Sequence, residues 1–208
     1  MSGTWPKIIR DPVHNLVPFE DNSCDRLLLR LINTKEFQRL RRIKQLGLSQ
    51  LVFSGADHCR VVHAIGVMHV ARRFLNRLDR VCRGGINDDQ NTVVLAAALL
   101  HDLGHGPFSH AFEKITGESH EKRTLQIITD PSTEVNATLR QYSEGLPDRL
   151  KVFFDEDPEE ERQEDVGIPV YLTQIVSSQF DADRSDYLLR DSYATGTDYG
   201  RFDLDWLI

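Results

Sequence analysis

Residues 93–110 read Val93-Val94-Leu95-Ala96-Ala97-Ala98-Leu99-Leu100-His101-Asp102-Leu103-Gly104-His105-Gly106-Pro107-Phe108-Ser109-His110. The run from Val93 to Leu100 has no polar face, so it predicts a buried helix. That helix ends in His101 and Asp102, and Gly104, Gly106 and Pro107 break it. His105 and His110 follow at once. Seven of the eight histidines of the chain lie between His58 and His120. Imidazoles and a carboxylate gathered at the end of a buried helix suit metal binding or proton transfer. The stretch therefore predicts a metal-dependent active site on a helical scaffold.

The flanking sequence extends that scaffold. Val61, Ile65, Met68, Ala71, Leu75 and Leu78 recur every three or four residues, which predicts an amphipathic helix over 59–80. His63 lies off that stripe, on a face with Val67 and Val70, from which it can point sideways into a cleft. Further helices are predicted at 27–32, 91–102, 109–116, 120–129, 133–143, 169–178 and, more firmly, 182–194. Asn33 with Glu36 three residues on has the form of a capping box, with Phe37, Leu40 and Ile43 as the buried face beyond it. Residues 7–19 read as two extended pieces about an Asp11-Pro12 turn. There is no strand–helix alternation, internal repeat or Gly-rich phosphate loop. The fold class is mainly α with a short N-terminal β-hairpin.

Composition narrows the rest. A length of 208 residues suits one domain, and 40% hydrophobic residues can fill its core. No apolar run approaches the roughly 18–20 residues of a membrane span, and no leader is visible at the N-terminus. Cys24, Cys59 and Cys82 form no CxxC pair and read as free thiols in a reducing compartment. A cytoplasmic location is expected, or a nuclear one if the source is eukaryotic. The net charge of −7 is concentrated in Asp155 to Asp165, where eight acids accompany one base. Residues 155–166 read as a solvated, mobile insert, with a partner-binding insert as the sharper alternative. The opposite bias, Lys35, Arg39, Arg41, Arg42 and Lys44 against Glu36, is either an exposed helix face or a phosphate-attracting wall.

A catalytic metal needs several convergent ligands and an open position. His63, His101 and Asp102 supply three, and a further anionic one is wanted. The segment Asp181-Ala182-Asp183-Arg184-Ser185-Asp186-Tyr187 is the best source. Asp183, Tyr187 and Asp191 share one helical face at i, i+4 and i+8. Two histidines and two carboxylates without a thiolate suit Mn, Mg, Fe, Co, Ni or Zn as one divalent ion. A closed structural zinc site is disfavoured by the lack of a cysteine cluster.

The set His63, His101-Asp102 and Asp183 resembles the H…HD…D signature of HD-domain phosphohydrolases. Four ordered blocks, Phe37–Gly47, Arg60–Val67, His101–His110 and Asp181–Asp191, resemble the deoxynucleoside triphosphate triphosphohydrolase branch. The resemblance runs from about Lys7 to the C-terminus. It implies a single HD domain, the N-terminal part of a longer architecture, that splits a dNTP into deoxynucleoside and inorganic triphosphate. By the same resemblance His63, His101, Asp102 and Asp183 are metal ligands. His105 and His110 face the α-phosphate and water, His120 is the general acid, and Glu113 orients a histidine. Arg60 and Arg184 bind phosphate, Gln45 and Asp191 hold the sugar 3′-hydroxyl, and Tyr187 lies where a 2′-hydroxyl would clash. Glu113 stands where relatives often have Asp, Arg184 where they often have Lys, and Asn33 where they have an Asp that reads guanine. The resemblance also implies a homo-oligomer, dimer or tetramer, and a nucleotide activator contacted by Lys7, Arg10 and Asn33. In the longer relatives more chain follows, so Trp206, Leu207 and Ile208 are expected to present an apolar edge. His14, His58 and His69 match no ligand position and read as surface or core histidines. Alternatives are an HD-type nucleotidase or phosphodiesterase, or a nucleotide-sensing or nucleic-acid-binding module; nothing indicates nucleic acid or membrane as a partner.

Overall fold

The computed structural model describes residues 5–83, 85–154 and 167–208. The acidic run 155–166 lies outside the described residues. The fold is mainly helical, with one antiparallel hairpin of β1 (Lys7–Asp11) and β2 (Asn15–Phe19), Ile9 opposite Val17. The Asp11-Pro12 turn falls where expected: Asp11 Oδ1 accepts the N–H groups of Val13 and His14 at 2.8 and 2.9 Å, and Asn15 takes a positive φ.

The helices are α1 (Ser23–Ile32), α2 (Lys35–Gln38), α3 (Arg60–Val81), α4 (Asp88–Leu100), α5 (His110–Thr116), α6 (His120–Thr129), α7 (Glu134–Tyr142), α8 (Leu146–Leu150), α9 (Val170–Thr173), α10 (Ala182–Thr195) and α11 (Leu204–Leu207). α4 is the central element. An Asn87/Gln90 capping box and two aspartates in its first turn start it, and every residue from Thr92 to Leu100 is buried. α3 packs along α4 on one side and α10 on the other. This three-helix stack brings the end of α4, the first turn of α3 and the first turn of α10 to one place.

Three local expectations are corrected. Asn33 caps the C-terminus of α1, and the N-cap of α2 is Thr34, whose hydroxyl accepts from Phe37 N. Glu36 instead turns to the N-terminus of α7, accepting from Glu134 N at 3.2 Å. The helix expected over 169–178 is only α9, because Asp181 at the next helix start draws the N–H of Ser178 at 2.7 Å and folds the chain back. The helix α8 carries a proline at its start and is too short to show a periodic pattern. Phe37, Leu40 and Ile43 are buried as expected, although a 3₁₀ segment, Arg39–Arg42, carries Leu40, and Ile43 follows it in an extended conformation. Trp206 is 84% exposed at the end of the chain. Among the described residues no helix is long and apolar enough to cross a membrane.

Candidate metal centre and active site

Each donor of the first cluster comes from a different element. His63 lies one turn into α3, His101 follows the last residue of α4, and Asp183 lies in the first turn of α10. α10 starts where Asp181 accepts from Arg184 N at 2.7 Å, which turns Asp183 inward. His63 Nε2 lies 3.3 Å from His101 Nε2 and 3.0 Å from Asp183 Oδ1, which is 3.5 Å from His101 Nε2. Asp102 closes the group, 3.6 Å from His63 Nε2 and 3.4 Å from His101 Nε2. Atoms bonded to one ion at about 2.0–2.2 Å stand roughly 3.0–3.5 Å apart in octahedral or tetrahedral geometry. His63, His101 and Asp183 are therefore spaced as the edges of a coordination polyhedron, with Asp102 beside them. His63, His101 and Asp183 alone meet the spacing for a metal ion.

Electrostatics favour a cation there. Burial works to discharge His63, yet hydrogen bonds to Asp183 and Asp186 and the charges of Asp186 and Asp102 raise its pKa to about 10. His101 is likewise raised against its burial, by the charge of Asp102 and its bond to Asp183. Desolvation opposes the charge on Asp102 and Asp183, but His101 and Arg60 hold the first, and His101 and His63 the second, well below the usual carboxylate range. The carboxylates stay ionised and draw positive charge to the imidazoles, a demand that a divalent ion also meets.

A second cluster adjoins the first. Glu113 Oε1 sits 3.0 Å from His120 Nδ1, 3.2 Å from His110 Nδ1 and 3.3 Å from His105 Nδ1. His105 and His120 stack at 3.8 Å. This group, too, has the spacing to hold a cation. Asp102 joins the clusters, since its Oδ1 is 3.2 Å from His105 Nε2. Burial pushes His105 down to about 4 against the pull of Asp102. Burial works against the Glu113 charge, but His120 and His110 hold its pKa down.

Local chemistry explains the closeness. Gly104 touches the start of α6, where a Cβ would collide with His120 O and Thr124 N. The Gly104 N–H donates to Thr124 Oγ1 at 2.8 Å, and that hydroxyl donates to His101 O at 3.1 Å. One threonine thus ties the His-Asp loop to the helix that carries His120. Phe108 and Ser109 both hold positive φ, a costly conformation for residues with a side chain, and this tight turn launches α5 with His110 at its first position.

The remaining site residues separate into two sets. Arg60 is buried, pairs with Asp102 and donates to Ser109 Oγ at 2.8 Å. Asp191 accepts from, or pairs with, His58 Nε2 at 2.8 Å, and the backbone of His58 takes the N–H of Gln45 at 3.1 Å. Gln45 Oε1 is buried without a partner among the described residues. Gln45 and Asp191 therefore flank His58, and Tyr187 lies half-buried between Asp183 and Asp191 on α10. Arg184 is exposed on the same helix. The three residues expected at an activator are not joined by contact. Lys7 and Arg10 are exposed on β1, whereas Asn33 donates to Leu29 O at 2.6 Å and lines a groove of about 350 Å³ against α7.

Four residues of the site escaped sequence reasoning. His14 and His58, read as bland histidines, face Asp186 and Asp191. Asp186 and Arg190 form a buried ion pair on α10, and only their i, i+4 spacing signalled it. Arg39 is no phosphate wall: its guanidinium donates to His105 O at 2.7 Å and to Leu103 O, bracing the His-Asp loop. Lys44 is engaged with Asp57.

The chain is 44% identical over 204 residues to an uncharacterised protein, YwfO, of Bacillus subtilis, covering 97% of this chain and 43% of that protein. It is 36% identical over 227 residues to the deoxynucleoside triphosphate triphosphohydrolase SAMHD1 of Danio rerio, covering 94% of this chain and 35% of that one. A crystal structure of a phosphohydrolase from Bacteroides thetaiotaomicron superposes with a TM-score of 0.74 at 35% identity, covering 95% of this chain and 45% of the other. The chain thus spans less than half the length of each of these three proteins. The HD domain family matches residues 60–163, half of the sequence, including the His63, His101-Asp102 and His105–His120 elements. The chain belongs to the HD-domain family.

Proposed function

We propose that this chain is the HD-domain portion of a metal-dependent phosphohydrolase that cleaves dNTPs into deoxynucleoside and inorganic triphosphate. The observation that carries the reading is the shared carboxylate. Asp102 lies at once 3.4 Å from the metal-spaced His101 and 3.2 Å from His105 of the histidine–glutamate cluster. The adjacency of the two clusters supports a reading in which one neutralises charge at phosphorus and the other supplies a proton to the leaving oxygen. The similarity to the dNTP triphosphohydrolase SAMHD1 supports the substrate class.

In this reading His63, His101, Asp102 and Asp183 hold one divalent ion, of which Mn, Mg, Fe, Co, Ni and Zn all suit the donors. When bound, the ion supplies Lewis-acid polarisation of the α-phosphate and a more acidic water. Arg60, fixed by Asp102 and Ser109, offers its charge to the phosphates, with Arg184 reaching them from the surface of α10. A water oxygen forms the new bond to the α-phosphorus while the bond to the 5′-oxygen breaks. His120, oriented by Glu113, gives its proton to that leaving oxygen, the proton shed by the water passes to solvent, from which His120 is recharged, and His105 and His110 line the path of the attacking water. Gln45 and Asp191 grip the 3′-hydroxyl, and Tyr187 excludes a 2′-hydroxyl. A nucleotide activator at Lys7, Arg10 and Asn33, and a homo-oligomer, belong to the same proposal for the longer protein.

Chromatographic identification of products from a dNTP mixture with Mn²⁺ or Mg²⁺ tests it. Triphosphate and deoxynucleosides are expected, and neither from Asp102→Ala. Consumption of monophosphates or cyclic nucleotides alone would move the assignment to an HD nucleotidase or phosphodiesterase. Saturable dNTP binding without product would make the chain a nucleotide sensor.

A further inference from the structure

Beneath the metal-spaced cluster lies a carboxylate that belongs to neither histidine group. Asp186 is wholly buried and its two oxygens take four hydrogen bonds, which fills the acceptor capacity of a carboxylate. Oδ2 faces His63 Nδ1 at 2.7 Å and Arg190 Nε at 2.8 Å. Oδ1 faces His14 Nε2 at 2.6 Å and Arg190 Nη2 at 2.8 Å. Arg190 reaches on to Asp11 Oδ2 at 3.0 Å. Asp11 and His14 are the two ends of the hairpin turn, so the hairpin is fastened to α10 at two points. The fit has no slack, since a Cβ on Gly66 would collide with Asp186 Oδ1 and Arg190 Nη2.

The arrangement constrains His63. A carboxylate at Nδ1 holds a proton on that nitrogen, so Nε2 is the nitrogen that faces His101 and Asp183 and whose lone pair an ion would take. We infer that Asp186 and His14 are positioning residues for His63, and that the N-terminal hairpin thereby sets the metal affinity of the site. This rests on the metal-centre reading and not on the identity of the substrate. Its physical content is that the hairpin turn is a structural part of the metal centre, although every metal donor lies at least 49 residues away from His14 in the sequence.

Mn²⁺ affinity of the full chain, measured by competition with a chromophoric chelator, tests the inference. Asp186→Asn and His14→Ala are expected to weaken binding by roughly 10- to 100-fold, with the helical circular dichroism retained. His14→Gln, whose amide N–H can stand in for the Nε2 donor, is expected to recover most of the loss. Leu16→Ala, exposed on the same hairpin, is expected to bind as the wild type does. Variants that fold and bind within about twofold of wild type, where second-layer contacts ordinarily matter by tenfold or more, would overturn it. Where a variant does not fold, ¹⁵N-histidine spectra of the unmodified protein loaded with Zn²⁺ decide. A proton on His63 Nδ1 supports the inference, and one on Nε2 overturns it. A wild type that binds no divalent ion would overturn the metal centre and this inference together. Normal wild-type binding with unaffected variants would overturn the inference alone.

Discussion

The two histidine clusters that share Asp102 are built in opposite ways. His63, His101 and Asp183 sit on α3, α4 and α10, the packed centre of the molecule, and Asp186 braces His63 from behind. His105, His110, Glu113 and His120 sit on a loop and the first turns of two surface helices, with the His110 side chain 70% exposed. On the metal-centre reading, seating the first cluster on packed helices suits donors that must hold fixed distances around one ion. The second cluster is more exposed, which on the proposed function suits a group that exchanges protons with water and substrate. Strain at Phe108 and Ser109 and the Gly104–α6 contact belong to this second, more strongly bent part.

The comparison can be broken most severely from the first cluster. Asp183→Ala is expected to weaken divalent-ion binding by more than the roughly 100-fold typical of residues one step further out, as read by metal content after dialysis. On the second cluster, His120→Gln is expected to lower kcat by about 100- to 10,000-fold while metal content stays at the wild-type level. If metal were lost with His120, the division of labour between the clusters would be wrong. Gly66→Ala strikes the brace rather than the donors. Its Cβ must displace Asp186 or Arg190, and overpacking of this kind costs about 1–3 kcal/mol, measurable as a lower midpoint in chemical denaturation.

The smallest effect lies behind the brace. His69 lies beside His14, their ring centroids 5.4 Å apart and the planes tilted by 46°, and burial, with the charges of His14, Arg72 and Arg73, lowers its pKa to about 4. Its folded-state pKa lies below the value near 6.5 of an unfolded chain. Between these values the unfolded state binds more protons, so stability falls as pH drops from about 6.5 towards 4. His69→Gln is expected to flatten the pH dependence of the thermal midpoint over that window. An unchanged slope would mean that His69 is already accessible to protons in the folded state.

Much of the scaffold was legible from pattern. The apolar run 93–100 has no polar face, so it had to be buried, and the three- and four-residue spacing along 59–80 marked α3 and gave His63 its off-stripe position. The ends of α6 match the sequence reading, His120 to Thr129, because Ser119 supplies a recognisable cap. Short elements were not legible. α8 and α9 hold too few residues for a period to show, and the start of α2 was misplaced by one residue because Asn33 and Thr34 are both good caps. Tertiary contact decided between them, by giving the Asn33 amide to Leu29 O.

The donors were readable as residue types at helix ends, whereas their braces were not. Nothing local to His14 points to Asp186, 172 residues away. Arg39 looked like one basic residue among five until its guanidinium was seen on the carbonyls of Leu103 and His105. By itself the sequence determined a mainly α chain with a buried helix ending in His101-Asp102, and a donor set suited to a divalent ion. These follow from hydrophobic periodicity and side-chain chemistry, which are local. Only the tertiary structure decided that Asp102 serves both clusters, that Asp186 orients His63, and that the hairpin turn lies beneath them. Those contacts join residues far apart in the chain, and packing of α3 between α4 and α10 is what brings them within hydrogen-bond reach.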